Sequence, residues 1–159
     1  MEIKTYNQLK GTERTEALKH YKSWQDARKQ VWKIARHMSD SSKAEILKEV
    51  RMSVEEYANY INKRQRIFWA VHGGRIVGLL KSDRKPGKLG FDFMQTKPST
   101  GVMKTAGKTV GEHLVEAGMD FAEKHGLEIT KPVILPREEN FLAALFRDTY
   151  SQKDCEGNE

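Results

Sequence analysis

The sequence has one cysteine, four prolines and no apolar run near the ~18–20 residues that a membrane-spanning helix needs. A lone cysteine excludes a disulfide framework and a thiolate metal cluster; Cys155, in the polar stretch SQKDCEGNE, reads as a free exposed thiol. The prolines, at 86, 98, 132 and 136, are too scattered for a Pro-rich linker, and no repeat or low-complexity stretch breaks the chain. The histidines at 20, 37, 72, 113 and 125 show no HxxxH or HxH pairing, so no metal site is expected. Ser/His/Asp and Cys/His signatures of nucleophilic catalysis are likewise missing. The N-terminus MEIKTYNQLKG carries no basic stretch followed by an apolar one, so no secretory signal and a cytoplasmic location are expected.

What is present is a chain of 159 residues, 38% hydrophobic and 31% charged, which suits one soluble globular domain over residues 1–152 with a polar tail at 153–159. The net charge of +6 is uneven: residues 1–85 hold 19 basic against 10 acidic side chains, a net of +9, and the remainder 9 against 12, a net of −3. A basic half attracts anionic partners such as a nucleotide, a phosphorylated cofactor or nucleic acid, although lysines solvated on helix faces give the same count.

Periodicity places the elements. After a short strand over Glu2–Tyr6, apolar residues at Ala17, Leu18, Tyr21, Trp24, Ala27, Val31, Ile34, Ala35 and Met38 predict one long helix with a buried face. Ser39-Asp40-Ser41-Ser42 stops it and caps a helix carrying Ile46, Leu47 and Val50, and Ser53-Val54-Glu55-Glu56 fits a capping box for a further helix to about Lys63. Ile67–Val71 and Ile76–Leu80, joined by His72-Gly73-Gly74-Arg75, predict a hairpin, and Leu89–Thr96 beyond Pro86-Gly87 a third strand. A helix from about Thr109 ends at His125-Gly126, followed by a strand over Ile129–Leu135 and a helix over Glu138–Tyr150. The class is α/β, a mixed sheet with helices, in the order β-α-α-β-β-β-α-β-α.

Gly107-Lys108-Thr109-Val110-Gly111 opens a helix, and such a turn presents free backbone N–H groups and the positive end of the helix dipole, which suit a pyrophosphate. Gly107 and Gly111 allow close approach, and Lys104 and Lys108 add positive charge. The overlapping Gly101 to Thr109 has five residues between its glycines, where a phosphate-binding P-loop needs four. Asp92, between Phe91 and Phe93 on a central strand, is a candidate base toward an amine; a polar residue on a solvent face is its plainer reading.

The hairpin Phe68 to Gly78, the loop and helix Gly107 to Leu127 and the segment Glu139-Asn140-Phe141-Leu142-Ala143-Ala144 together resemble the Gcn5-related N-acetyltransferase (GNAT) superfamily over nearly the whole chain. The resemblance implies a GNAT-like mixed sheet that binds acetyl-CoA or another acyl-CoA between splayed strands and passes the acyl group to an amine of a protein, an RNA-linked or a small-molecule acceptor by direct attack. It implies that the strand at Phe93, Met94 and Gln95, the loop residues Lys104, Gly107, Lys108, Thr109, Val110 and Gly111, and Asn140 hold the acyl-CoA; Asp92 is the candidate base, and Tyr150, nearly one turn beyond the family's position for the acid, is the nearby substitute for it. The chain departs from the family pattern at three places. Ala106 and Thr109 stand where the loop carries a basic residue and a glycine, the connection from Pro98 to Gly107 is long, and Arg147 occupies the usual position of the tyrosine acid. These departures suit an alternative, a catalytically inactive binding or inhibitory module. The basic aromatic half, with Trp24, Trp32, Tyr57 and Tyr60, suits a nucleic-acid surface as a third reading.

Overall fold

The computed structural model describes residues 1–34, 37–97 and 104–130. Strand β1 (Glu2–Lys4) leads through a 3₁₀ turn at Tyr6–Gln8 to helices α1 (Thr12–Ile34), α2 (Asp40–Arg51) and α3 (Val54–Arg64). Strands β2 (Gln65–His72), β3 (Arg75–Lys85) and β4 (Lys88–Thr96) follow, then a short hairpin β5 (Lys104–Thr105) and β6 (Lys108–Thr109), helix α4 (Val110–Lys124) and strand β7 (Glu128–Thr130). The sheet order is β1-β2-β3-β4-β7, antiparallel except for the β4–β7 pair, which is parallel because α4 crosses over between them. The fold is thus the mixed α/β class expected. No helix among the described residues is long and apolar enough to cross a membrane.

Two details differ from the expected order. Three helices precede β2, as the caps at Ser39 and Ser53 predict but one more than the order β-α-α-β-β-β-α-β-α counts: Met52 turns extended (ψ 150°), and the Ser53 hydroxyl and Glu56 carboxylate cap α3 as a separate helix. The β5–β6 hairpin was not foreseen. Of the last strand expected, Ile129 and Thr130 fall in β7; the rest of it and the helix Glu138–Tyr150 lie outside the described residues.

The continuous apolar runs of β2 and β3 follow from a sheet covered on both faces. Ile67, Trp69 and Val71 alternate with Phe68 and Ala70: the first set packs with Ala17, Tyr21, Trp24 and Tyr57 of α1 and α3, the second with Val110 and Leu114 of α4. Tyr21 meets Tyr6, Trp24 and Trp69 edge-on with centroids 5.2–5.8 Å apart, a geometry that adds about 0.5–1.5 kcal/mol per pair to simple burial. Gly73 and Gly74 (φ 60° and 76°) make the tight β2–β3 turn that only left-handed residues allow. The buried stripe of α1 ends at Ala27, and Ile34, expected on the core face, is 74% exposed. A helix of 23 residues is about 35 Å long, whereas the eight residues of β2 span about 26 Å, so the last turns of α1 outrun the sheet they cover.

Candidate functional site

The pairing of β3 with β4 contains an irregularity that positions everything nearby. Lys81 pairs with Phe93 and Ser82 with Phe91, so Asp92 is the extra residue of a β-bulge. In a regular strand Phe91 and Phe93 would share a face. Here Phe91 packs on the α4 side, and Phe93 is buried on the α1–α3 side. The bulge therefore hands the α4 side to Met94, which is 45% exposed. Asp92 is half-buried at the bulge itself, a position at which strands commonly re-aim a side chain beside an active site.

On the other edge of β4 only Lys88–Gly90 is paired among the described residues, with Glu128–Thr130 of β7. From Phe91 to Thr96 that edge runs past the strand that began beside it. The N-terminus of α4 stands against this segment: a Cβ built on Gly111 would lie 3.3 Å from Met94 Cε. Lys108, Thr109, Gly111 and Met94 line one open groove of about 950 Å³, whose floor continues along α4 to Met119 and across to Ile129. The elements that the sequence proposed as one site, the strand at residues 93–95 and the helix start at 108–111, are thus brought together.

The local sequence decides how the helix start is built. Thr109 is the N-cap: its hydroxyl accepts from Glu112 N–H at 3.2 Å, and the Glu112 carboxylate accepts from the Thr109 hydroxyl at 3.1 Å. The box occupies the Glu112 amide, and the first-turn amides of Val110 and Gly111 have no intrahelical acceptor. Lys108 forms an ion pair with Glu116. Ala106 (φ 53°) and Gly107 (φ 76°) supply the two left-handed residues of the β5–β6 turn, so Gly107 serves the hairpin and not the groove. His113 Nε2 lies 2.7 Å from the Thr105 carbonyl and ties that hairpin to α4. Lys104 is exposed on the hairpin. Lys104 and Gly107 are not among the residues lining the groove. Asn140, Arg147 and Tyr150 lie outside the described residues.

Three features were missed by sequence reasoning. The bulge at Asp92 leaves no mark in an alternating pattern. Gly78 has a local role: a Cβ there would sit 3.0 Å from Val110 Cγ1 and 3.1 Å from the Gln95 carbonyl, so the first turn of α4 rests on bare backbone. Glu112 was read only as part of a helix, yet its carboxylate sits at the mouth of the helix start. The Gln95 amide oxygen is buried without a hydrogen-bond partner among the described residues, an unmet acceptor on the same strand.

No protein-family model matches the chain, and no curated protein matches it. Among solved structures the chain is similar to several acetyltransferases. A ribosomal-protein-alanine N-acetyltransferase from Brucella melitensis biovar Abortus 2308 shares 15% identity over 97% of this chain and 94% of that one, with a TM-score of 0.41. An aminoglycoside acetyltransferase from an uncultured soil metagenomic sample, in complex with sisomicin, shares 15% over 94% and 86%, with a TM-score of 0.45. AAC(6')-Iy, in complex with the bisubstrate analog CoA-S-monomethyl-acetylneamine, shares 17% over 92% and 86%, with a TM-score of 0.39. These are likenesses of outline, and the ligands named are those proteins' own.

Proposed function

We propose that the chain is an acyl-CoA-dependent N-acyltransferase that transfers an acyl group, acetyl being the leading candidate, to an amine. The observation that carries this reading is the contact of Gly111 at the start of α4 with Met94, on the stretch of β4 beyond its described pairing with β7. It sets the free amides of a helix N-terminus beside backbone of β4 that has no partner on that edge among the described residues, which is what a ligand with a phosphate end and an amide-bearing arm requires. The residues fit such a ligand. A side chain at position 111 would fill the approach, Val110 and Gly111 offer N–H groups, and Lys108, which lines the groove and pairs with Glu116, brings positive charge. The peptide groups from Phe93 to Gln95 take the arm, and Thr109 and Asn140 complete the set.

When bound, an acyl-CoA supplies an activated thioester. The chain's own part is to polarise the thioester carbonyl with a strand N–H near Phe93–Gln95 and to take the amine's proton at the Asp92 carboxylate, directly or through water. Tyr150 is proposed to return a proton to the departing sulfur.

The test is calorimetric titration of acetyl-CoA and of free CoA into the wild type and into Gly111→Glu. A dissociation constant on the order of micromolar that the variant loses, with its melting temperature kept, supports the reading. Absence of binding to the wild type sinks it and leaves the inactive binding module.

A further inference from the structure

Between α1, α2, α3 and the ends of β2 and β3 farthest from their turn lies a cavity of about 310 Å³, the size of a small-molecule site. It opens on the helical side of the sheet, apart from the groove of α4. Trp24, Tyr57 and Ile61 give its wall apolar surface, and six charged side chains share the lining. Four of these are matched within the protein. Arg28 Nε donates to Glu49 Oε2 at 2.7 Å. Arg64 donates to both Glu45 and the Tyr60 hydroxyl, which in turn donates to Glu45 at 3.0 Å.

Lys81 and Asp83 stand apart from that matching. The Lys81 side chain enters no ion pair or hydrogen bond among the described residues, and the ion-pair partner of Asp83 among them is Lys85 Nζ at 3.9 Å, on a side chain 74% exposed. The Tyr57 hydroxyl makes no hydrogen bond among the described residues, and the Gln65 amide oxygen in the same wall is buried without one. Lys81 and Asp83 are two residues apart on β3 and so leave the same face of the sheet. The cavity thus sets one uncommitted cation and one weakly committed anion side by side above an apolar wall.

We infer that this cavity binds a small zwitterion of amino-acid size, its carboxylate on Lys81, its ammonium on Asp83 and its apolar part against Trp24 and Ile61. A polycation would meet Arg28, Arg64 and Lys81 in the lining, and a polyanion would meet Glu45, Glu49 and Asp83. A neutral ligand would desolvate Lys81 and Asp83 without replacing their water. Binding here requires no acyl-CoA, so it stands or falls separately from the transferase reading.

The experiment follows backbone amide NMR shifts of the full chain on titration with L-leucine, L-leucine methyl ester and N-acetyl-L-leucine. The expected result is a saturable shift with L-leucine centred on α3 and β3. Each blocked compound, and each of Lys81→Met and Asp83→Asn with L-leucine, binds about tenfold or more weakly, since each loses a hydrogen bond to a charged group. Melting temperatures identify any variant that fails to fold, and the other variant then carries the comparison. No saturable shift with L-leucine, or equal binding by N-acetyl-L-leucine, overturns the inference, as does undiminished binding by the folded variants.

Discussion

His20 makes the stability of this protein depend on pH in a way that can be worked out beforehand. The side chain is 1% exposed on α1, its ring 5.6 Å from that of Trp69 and 6.5 Å from that of Trp24. Burial disfavours the imidazolium and pushes the pKa from 6.5 down to about 3. The folded chain therefore holds His20 neutral where the unfolded chain protonates it. Stability is fully present above pH 6.5 and is lost as pH falls toward 3. Each pKa unit is worth about 1.4 kcal/mol, which gives a loss of about 2 kcal/mol at pH 5 and about 4 kcal/mol near pH 3. For a domain of this size 2 kcal/mol lowers the melting temperature by roughly 4–8 °C. The assay is urea unfolding of the wild type and of His20→Leu at pH 7.5, 6.5, 5.5 and 5.0. Every other titrating group cancels in the difference between the two proteins, so the wild type should lose about 2 kcal/mol more than the variant across this range. Parallel loss in both proteins would refute the reasoning, because a histidine that protonates freely in the folded state contributes no slope.

Three further outcomes follow from packing and charge. In Gly118→Ala the new methyl carbon falls 2.7 Å from Phe91 Cε1 and 3.2 Å from Leu80 Cδ2, so overpacking of about 1–3 kcal/mol outweighs the ~1 kcal/mol gain in helix propensity. Thermal unfolding should show a net loss that Phe91→Leu relieves in the double variant. Gln25 Nε2 donates to the carbonyls of Glu49 and Met52 at 2.8 Å each and closes the end of α2; Gln25→Leu should cost about 1–3 kcal/mol in urea unfolding through the two acceptors left behind. Glu112→Gln keeps the capping geometry but removes a negative charge from the start of α4. Acetyl-CoA affinity measured by calorimetry should rise about two- to fivefold, the effect of a charge at a helix N-terminus, and an unchanged or weaker affinity would place the phosphates elsewhere.

The parts of this fold that were legible in the sequence are those whose cause is local. Ser39 and Ser53 announce helix starts because a short hydroxyl caps a free amide. Gly73-Gly74 announces a hairpin because only left-handed residues close it. Ile67–Val71 announces a strand because its side chains are branched, aromatic or small. The helix start at Thr109 was legible for the same reason. What was illegible depends on partners distant in sequence. The stripe of α1 continues to Ile34, but only the length of the sheet beneath it decides where burial ends. The bulge at Asp92 is a property of the β3–β4 pair, and Gly107 looks equally suited to a phosphate and to a hairpin turn until Ala106 is seen beside it at positive φ.

The bulge explains why the candidate site lies where it does. A regular β4 would place Phe91 and Phe93 together under α4 and turn Met94 away from it. With Asp92 bulged out of the ladder, Phe91 stays beneath Gly118, Phe93 joins the α1 core, and Met94 comes round to Gly111. One bulged residue thus anchors the strand on both sides of the sheet while its far half continues along an edge that β7, among the described residues, pairs at Lys88–Gly90. Two rigid supports and one open edge are what a site needs to hold backbone hydrogen-bonding groups ready for a ligand without losing them to the sheet. Deleting Asp92 removes the unpaired residue but leaves Phe91 opposite Ser82, Phe93 opposite Lys81 and Met94 opposite Leu80, so Met94 should stay against Gly111 and acetyl-CoA binding should be kept. Asp92→Ala, which keeps the bulge, should leave binding intact and remove only proton transfer. Equal loss of binding in both variants would locate the effect in the carboxylate and not in the shape of the strand.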